Sequence, residues 1–579
     1  MCGIAGIALR PGMRVAPATL AALATSLGHR GPDGAGTHVS ERAALVHTRL
    51  AIIDLATGDQ PLFGADAALI ANGEIYNDPA LRAGLEEVDF RTQSDCEPPL
   101  HLNRADCDII PHLRGMYAIA IDDETRRTVS LTRDPFGIKP LYRAATASGT
   151  AFASEPQALL DAGLAAREIA PAVLREMLDR QFSAGSATAF AGISRVEPGA
   201  TLILRDGEIE RTFRHAPIEP GKAPRDEDSA LAELDRVLTE SVDLHRRSDV
   251  PYGMFLSGGI DSTAILALMA RLGGSPVEAF TAGFDVVGVA DERDDAETAA
   301  RALGARHHRV EITEAMVWRH LPEIVACMDD PTADPAIIPT WFLGGLAREA
   351  VTVVLSGEGG DEIFAGYGRY RAASRPWPFR KRMRHRGAFD GLGLLRDMDE
   401  PPTPLPPHDD GARATRLDAA QREDIAGWLP NDLLLKLDRC LMAHGVEGRT
   451  PFLDREVARF AFSLPDSLRV RGRFGKILLR KWLERHCPAA RPFARKQGFD
   501  VPIGAWIAGQ GARLGDLVAK SPIIEEIARP DAVRSAFRQA GDRRVGPACW
   551  RLLFLALWHR RHGLGLAPAG DVFDILSRW

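Results

Sequence analysis

From residue 251 onward the sequence alternates in a way that admits few folds. PYGMFL (251–256) is an unbroken apolar run, and the glycine-rich SGGIDS (257–262) follows it directly. STAILALMARLGG (262–274) then reads as a helix closed by glycines. VEAFTAGF (277–284), HHRVEI (307–312) and VTVVLSG (351–357) read as further strands. DDAETAARALGA (294–305) and TEAMVWRHLPEIVACM (313–328) read as helices between them. Strands that are apolar along their whole length are buried on both faces. Strands of that kind alternating with helices predict an α/β domain with a parallel, doubly wound sheet. From about residue 412 to the end the patterns are mostly helical, and DEPPTPLPPHDDG (399–411) reads as an exposed loop.

Residues 1–212 follow another rhythm. Short apolar runs such as AALVHTRLAIIDL (43–55), AALIANGEIYN (67–77) and MYAIAIDDE (116–124) are broken by Gly, Asn and Asp. That spacing, with its β-branched content, predicts hairpins in antiparallel sheets. Helical patterns interrupt them near 17–27 and 171–181. The segment HAPIEPGKAPRDED (215–228) is Pro-rich and charged, as linkers are. A chain of 579 residues exceeds a single core. The expected organisation is an α+β domain over 2–212, a linker over 213–228, and an α/β domain with a helical C-terminal part over 229–579.

Composition excludes several classes. A net charge of -7 argues against nucleic acid or an anionic membrane as the partner. The basic run RPWPFRKRMRHR (375–386) reads as a solvated surface. Seven scattered cysteines with no CxxC pair give neither a disulfide framework nor a zinc site, and suit a reducing cytoplasm. No apolar stretch reaches membrane-spanning length. The opening run ends at Arg10 without a basic leader or cleavage site, so neither a signal peptide nor a lipid-modified cysteine is expected.

The loop SGGIDS lies between a strand and a helix, where backbone N–H groups and the helix dipole suit phosphate. Asp261 inside it suits a Mg²⁺ ion that bridges phosphates. The loop matches neither GxxxxGK[ST] nor GxGxxG. A second loop, SGEGGDE (356–362), follows the strand VTVVL. Ligands of open parallel sheets bind off the carboxyl ends of strands, so the two loops can face one ligand. Asp361 could then share the metal, leaving Glu358 for chemistry. A tight strand–helix turn explains one such loop alone; two in one sheet favour a shared ligand.

At the other end, MCGIAGI places Cys2 directly behind the initiator. A buried small hydrophobe and a nucleophile are both open readings. If Met1 is removed, a free α-amino group with a pKa near 8 sits beside the thiol and can act as its general base.

The motifs resemble a known family. SGGIDS is similar to the pyrophosphate loop of N-type ATP pyrophosphatases. SGEGGDEIFAGYGRY (356–370), MAHGVEGRTPFLD (442–454) and MCGIAGI resemble the glutamine-hydrolysing asparagine synthetases. So do RGPDGAG (30–36), HTRLAIIDLATGDQPL (47–62), NGEIYN (72–77), FRTQSDCE (90–97), LRGMYAIAIDD (113–123) and RDPFGIKPLY (133–142). The resemblance implies a class II, N-terminal-nucleophile (Ntn) amidotransferase domain with helices packed on antiparallel sheets, followed by an ATP-pyrophosphatase domain. It implies that Cys2 hydrolyses glutamine, that Arg49 holds the glutamine α-carboxylate, and that Asp95 pairs with the α-ammonium. Asn72 and Gly73 would serve the oxyanion, and Glu74 would line the glutamine site. RGPDG and RDPFGIKP are read as turns that shape the fold.

For ATP the resemblance implies Leu256 and Ala282 against adenosine. Ser257, Gly258, Gly259, Asp261, Ser262, Ser356 and Gly357 lie at the loops, with Lys476 at pyrophosphate and Asp261 and Asp361 at Mg²⁺. Glu358 would act in forming the acyl-adenylate. The implied acceptor is the aspartate β-carboxylate, the cofactors are ATP and Mg²⁺, and a homodimer is suggested. Two stretches depart from the family pattern and mark where the acceptor is expected to be read. They are MDDPTADPAIIP (328–339) and MAHGVEGRTPFLD, whose Gly445 and Gly448 would each cost a helix about 1 kcal/mol. In SDCEPPL the two prolines should delay the following helix, with Asp95 ahead of them.

Overall fold

A computed structural model describes residues 2–64, 66–284, 286, 292–375, 378, 383, 387–396, 415–494 and 501–579, except 106. Most of the basic run 375–386 and the whole of 399–411 lie outside these described residues.

The N-terminal domain stacks two six-stranded antiparallel sheets. One has Gly3–Leu9 and Ala43–Arg49 near its middle, the other Ala67–Ile75 and Gly115–Asp123. The facing sides share a core of Ile4, Ala8, Leu45, Ile70, Ala118, Leu131 and Phe152. The strand Gly3–Leu9 is buried along its whole length because its other side is covered too. There Ala5 and Ile7 pack against Leu23 and Leu27 of the helix Pro17–Leu27 and Met177 of the helix Pro171–Arg180. The second sheet carries Leu100 and Ile109 against Leu69, Ile119 and Ile121. Helices therefore flank a sheet–sheet sandwich, as an Ntn-type fold requires. The helix Pro98–Ala105 takes both prolines in its first turn, where the missing N–H groups cost nothing.

The strand Glu208–Arg214 closes this domain, and a capping box of Asp226 and Ser229 opens the helix Glu227–His245. The second domain is built on five parallel strands in the order Arg306–Ile312, Glu278–Phe284, Tyr252–Phe255, Val353–Leu355, Glu447–Arg449. Met254, Ala279 and Leu355 face the helices Glu227–His245 and Ile260–Leu272. Phe280 and Val354 face Ile337–Arg348 and Leu434–Met442 on the opposite side. Further helices, including Ile503–Gly509 and the buried Gly546–Trp558, form the C-terminal part. Among the described residues no helix is long and apolar enough to cross a membrane.

The fifth strand, Glu447–Arg449, falls in a region whose patterns are otherwise helical. Gly445 and Gly448 were counted above as helix positions, and the structure corrects this. The helix Leu434–Met442 has already ended, and Gly445 takes the left-handed turn (φ 65°). Gly448 lies in the strand, where a Cβ would come within 2.9 Å of Leu441 Cδ1.

Buried ion pairs join the domains. Arg195 holds Asp330 through two hydrogen bonds, of 2.6 and 2.7 Å, and both side chains are almost fully buried. Arg30 grips Asp438 at 2.8 and 3.1 Å. Arg114 meets Asp454 at 2.7 Å. Removing one partner of a buried pair strands the other charge. We expect Arg195→Met to lower the stability of the whole chain by about 3–5 kcal/mol, read by urea denaturation.

Candidate active sites

The first site lies where the chain enters the strand Gly3–Leu9. The Cys2 backbone N–H donates to Asn72 Oδ1 at 3.3 Å, and Arg30 Nε donates to the Cys2 carbonyl at 3.2 Å. A Cβ at residue 3 would lie 2.6 Å from Thr48 Oγ1 and 2.9 Å from Leu27 Cβ, so the nucleophile candidate must be followed by glycine. Cys2, Arg49, Gly73, Glu74 and Asp95 line one small cavity. The structure thus gathers these expected glutamine-site residues from both sheets, with Asn72 beside them.

The electrostatics suit acyl transfer. Burial pushes the Cys2 thiol up, so it needs a base to ionise. Among the described residues Asn72 Nδ2 is buried without a hydrogen-bond partner, a donor of the kind that suits an oxyanion. Burial raises the Asp95 carboxyl to about 6, against the pull of the Ile75 N–H at 2.6 Å. Arg49 is braced by Asp59 at 2.6 Å and by the Asp54 carbonyl at 2.5 Å. Arg30, read from the sequence as part of a shaping turn, proves to hold the backbone of Cys2. A further wall residue, Glu447, comes from the second domain; its motif MAHGVEGRTPFLD pointed to the acceptor rather than to glutamine.

The second site lies off the carboxyl ends of the neighbouring strands Tyr252–Phe255 and Val353–Leu355. Ser257, Gly258 and Gly259 join the first strand to the helix Ile260–Leu272, and the Ser257 and Ser262 hydroxyls lie 3.1 Å apart. Ser356, Gly357, Glu358 and Gly359 join the second strand to the short helix Gly360–Ile363. The loops touch: a Cβ on Gly357 would meet Asp261 Cβ at 3.1 Å, and one on Gly360 would meet Asp261 Oδ1 at 2.6 Å. Leu256, just past the strand Tyr252–Phe255, and Ala282, within the neighbouring strand Glu278–Phe284, are both buried, with Thr281 Oγ1 donating to the Leu256 carbonyl at 2.5 Å.

Lys476 sits between the loops' acids. Its ammonium pairs with Asp261 and, at 2.6 Å, with Asp361. It precedes the helix Ile477–His486 in the left-handed conformation (φ 55°), which a non-glycine residue keeps only when its surroundings enforce it. Asp261, Asp361, Tyr367, Arg371, Arg480 and Lys476 line a cavity of about 540 Å³, ample for a nucleotide's charged end. Two carboxylates converging on one ammonium also fit Mg²⁺, which takes one or two carboxylates and completes its shell with phosphate oxygens and water. Among the described residues no cluster of three or more His, Cys, Asp or Glu forms a metal site by itself.

Glu358 stands beside this cavity. Burial pushes its carboxyl up, and Lys436, 3.8 Å away, pulls it down. Lys436 also holds Asp334 at 3.1 Å. Asp334 is the one acid of MDDPTADPAIIP set near Glu358, since Asp329 and Asp330 are spent on Arg439 and Arg195. Within the other stretch, MAHGVEGRTPFLD, Glu447 lines the glutamine cavity and Arg449 pairs with Glu74.

An antiparallel sandwich with a cysteine at its entrance, joined to a parallel sheet with paired glycine loops, defines a two-domain amidotransferase. The glutamine amidotransferase domain pattern matches residues 1–215, and the asparagine synthase pattern matches residues 233–560. Asparagine synthetase [glutamine-hydrolyzing] 1 of Bacillus subtilis (strain 168) is 33% identical over 583 residues, covering 92% of each chain. A putative asparagine synthetase [glutamine-hydrolyzing] of Mycobacterium tuberculosis (strain ATCC 25618 / H37Rv) is 33% identical, covering 96% of this chain and 97% of its own. Asparagine synthetase B [glutamine-hydrolyzing] of Escherichia coli (strain K12) is 30% identical, covering 83% and 78%. The chain belongs to the glutamine-hydrolysing asparagine synthetase family.

Proposed function

We propose that this chain makes asparagine from aspartate, glutamine and ATP, in two half-reactions at its two sites. The observation that carries this reading is the pairing of the Cys2 cavity with the Lys476 cavity on one chain.

At the first site, with Met1 removed, the α-amine of Cys2 takes the thiol proton, and Sγ attacks the glutamine carboxamide. Asn72 Nδ2 and the Gly73 N–H stabilise the tetrahedral oxyanion. Collapse releases ammonia, with the proton returned by the α-amine, and water hydrolyses the thioester to glutamate. Arg49 and Asp95 orient the substrate by its carboxylate and ammonium.

At the second site the SGGIDS loop and Lys476 hold the β- and γ-phosphates, while Leu256 and Ala282 flank the adenosine. The aspartate β-carboxylate displaces pyrophosphate at the α-phosphorus, giving an acyl-adenylate; ammonia then displaces AMP. Mg²⁺, held by Asp261 and Asp361, would neutralise the leaving pyrophosphate. Glu358, with Lys436 3.8 Å away, would act in forming the acyl-adenylate. Cytoplasmic residence and a homodimer complete the proposal.

The test follows pyrophosphate, AMP and asparagine with ATP, Mg²⁺ and glutamine, with and without aspartate. Aspartate-dependent pyrophosphate with matching asparagine is expected. Glutamate release without it overturns the aspartate assignment and directs the search to other carboxylates.

A further inference from the structure

The fifth parallel strand does more than end a sheet. Glu447–Arg449 is hydrogen-bonded to Val353–Leu355 and belongs to the synthetase half of the chain. Yet Glu447 lies in the wall of the Cys2 cavity, together with Glu74 and Asp95. Arg449 Nε donates to Glu447 Oε1 at 2.6 Å, and Arg449 Nη2 meets Glu74 Oε1 at 3.0 Å. All three side chains are at least nine-tenths buried. One guanidinium from the second domain therefore fixes two carboxylates at the glutamine cavity, one from each domain.

The anchorage is double. Arg449 Nη1 donates to the carbonyls of His245 and Arg247, at 2.9 and 2.6 Å. Lys139 of the first domain reaches the Gly448 carbonyl at 3.4 Å. The strand is thereby pinned from both sides, and the planar fork of arginine suits such fixed geometry.

We propose that the glutamine site is a composite of both domains, in which Glu447 supplies part of the wall and Arg449 positions Glu74 for substrate. Glu447 and Arg449 are positioning residues here: they act on glutamine through the shape and charge of the cavity, while bond breaking stays with Cys2. The inference rests on the function proposed above.

The test is glutamine hydrolysis by the full chain without ATP or aspartate, read as glutamate released. Glu447→Gln keeps the shape and removes the charge, so Arg449 loses one anchor and Glu74 its fixed position. We expect KM for glutamine to rise about tenfold, the cost of one charge-assisted hydrogen bond, with kcat changed less than about threefold. Arg449→Lys keeps the charge without the fork and should raise KM further. Cys2 should still be alkylated by iodoacetamide in Glu447→Gln, at a rate no lower than wild type because a carboxylate that raises the thiol is gone, which separates mispositioning from collapse. Wild-type KM in both variants overturns the inference, as does a loss confined to kcat. A wild-type chain that releases no glutamate overturns the function itself, and this inference with it.

Discussion

Cys2→Ala should lower glutamine-dependent asparagine formation by about 10⁴-fold or more, since removal of a nucleophile leaves only binding and the oxyanion donors. The same variant should make asparagine from ammonium salts at near the wild-type rate. The split follows from the structure: Cys2 touches Asn72, Arg30 and Leu50, and none of the residues around Lys476. Parallel assays of pyrophosphate release with glutamine or with ammonium chloride as nitrogen source read both halves. Equal loss with both sources would show that Cys2 serves the fold rather than glutamine.

Lys476→Met should produce the complementary phenotype. Its ammonium is the cation between Asp261 and Asp361, and without it two carboxylates face each other across the cavity. ATP-dependent pyrophosphate release should fall about 100- to 1,000-fold, the usual effect of deleting one charge-stabilising donor. Glutamine hydrolysis should survive. Unchanged pyrophosphate release would remove Lys476 from the nucleotide site. The left-handed backbone at 476 is unaffected in kind by the change, because methionine carries the same Cβ as lysine.

The sequence carried these sites unequally. Both glycine loops are legible from their place between strand and helix, whereas Cys2, Asn72 and Asp95 are legible through the resemblance of their motifs to a known family. Three of the other parallel strands are legible as apolar runs, and Arg306–Ile312 by its place in the strand–helix alternation. Glu447–Arg449 is not: three residues, two of them charged and one glycine, show no periodicity. Their strand exists only through the ladder to Val353–Leu355 and the buried pairing of Arg449. Arg30 was likewise hidden, since a turn-forming RGPD run gives no hint that its guanidinium spans from the Cys2 carbonyl to Asp438. Lys476 was visible as a lysine, but its left-handed backbone depends on residues far away in the chain.

The edge strand also sets an order of events during synthesis. Cys2 leaves the ribosome long before Glu447. Domains fold largely in the order in which they emerge, and strand pairings across long sequence separations form late. The nucleophile is therefore present long before the last wall of its cavity. A nascent chain carries an open, unfinished chamber, and the wall is added once the partner that consumes its ammonia has itself been built.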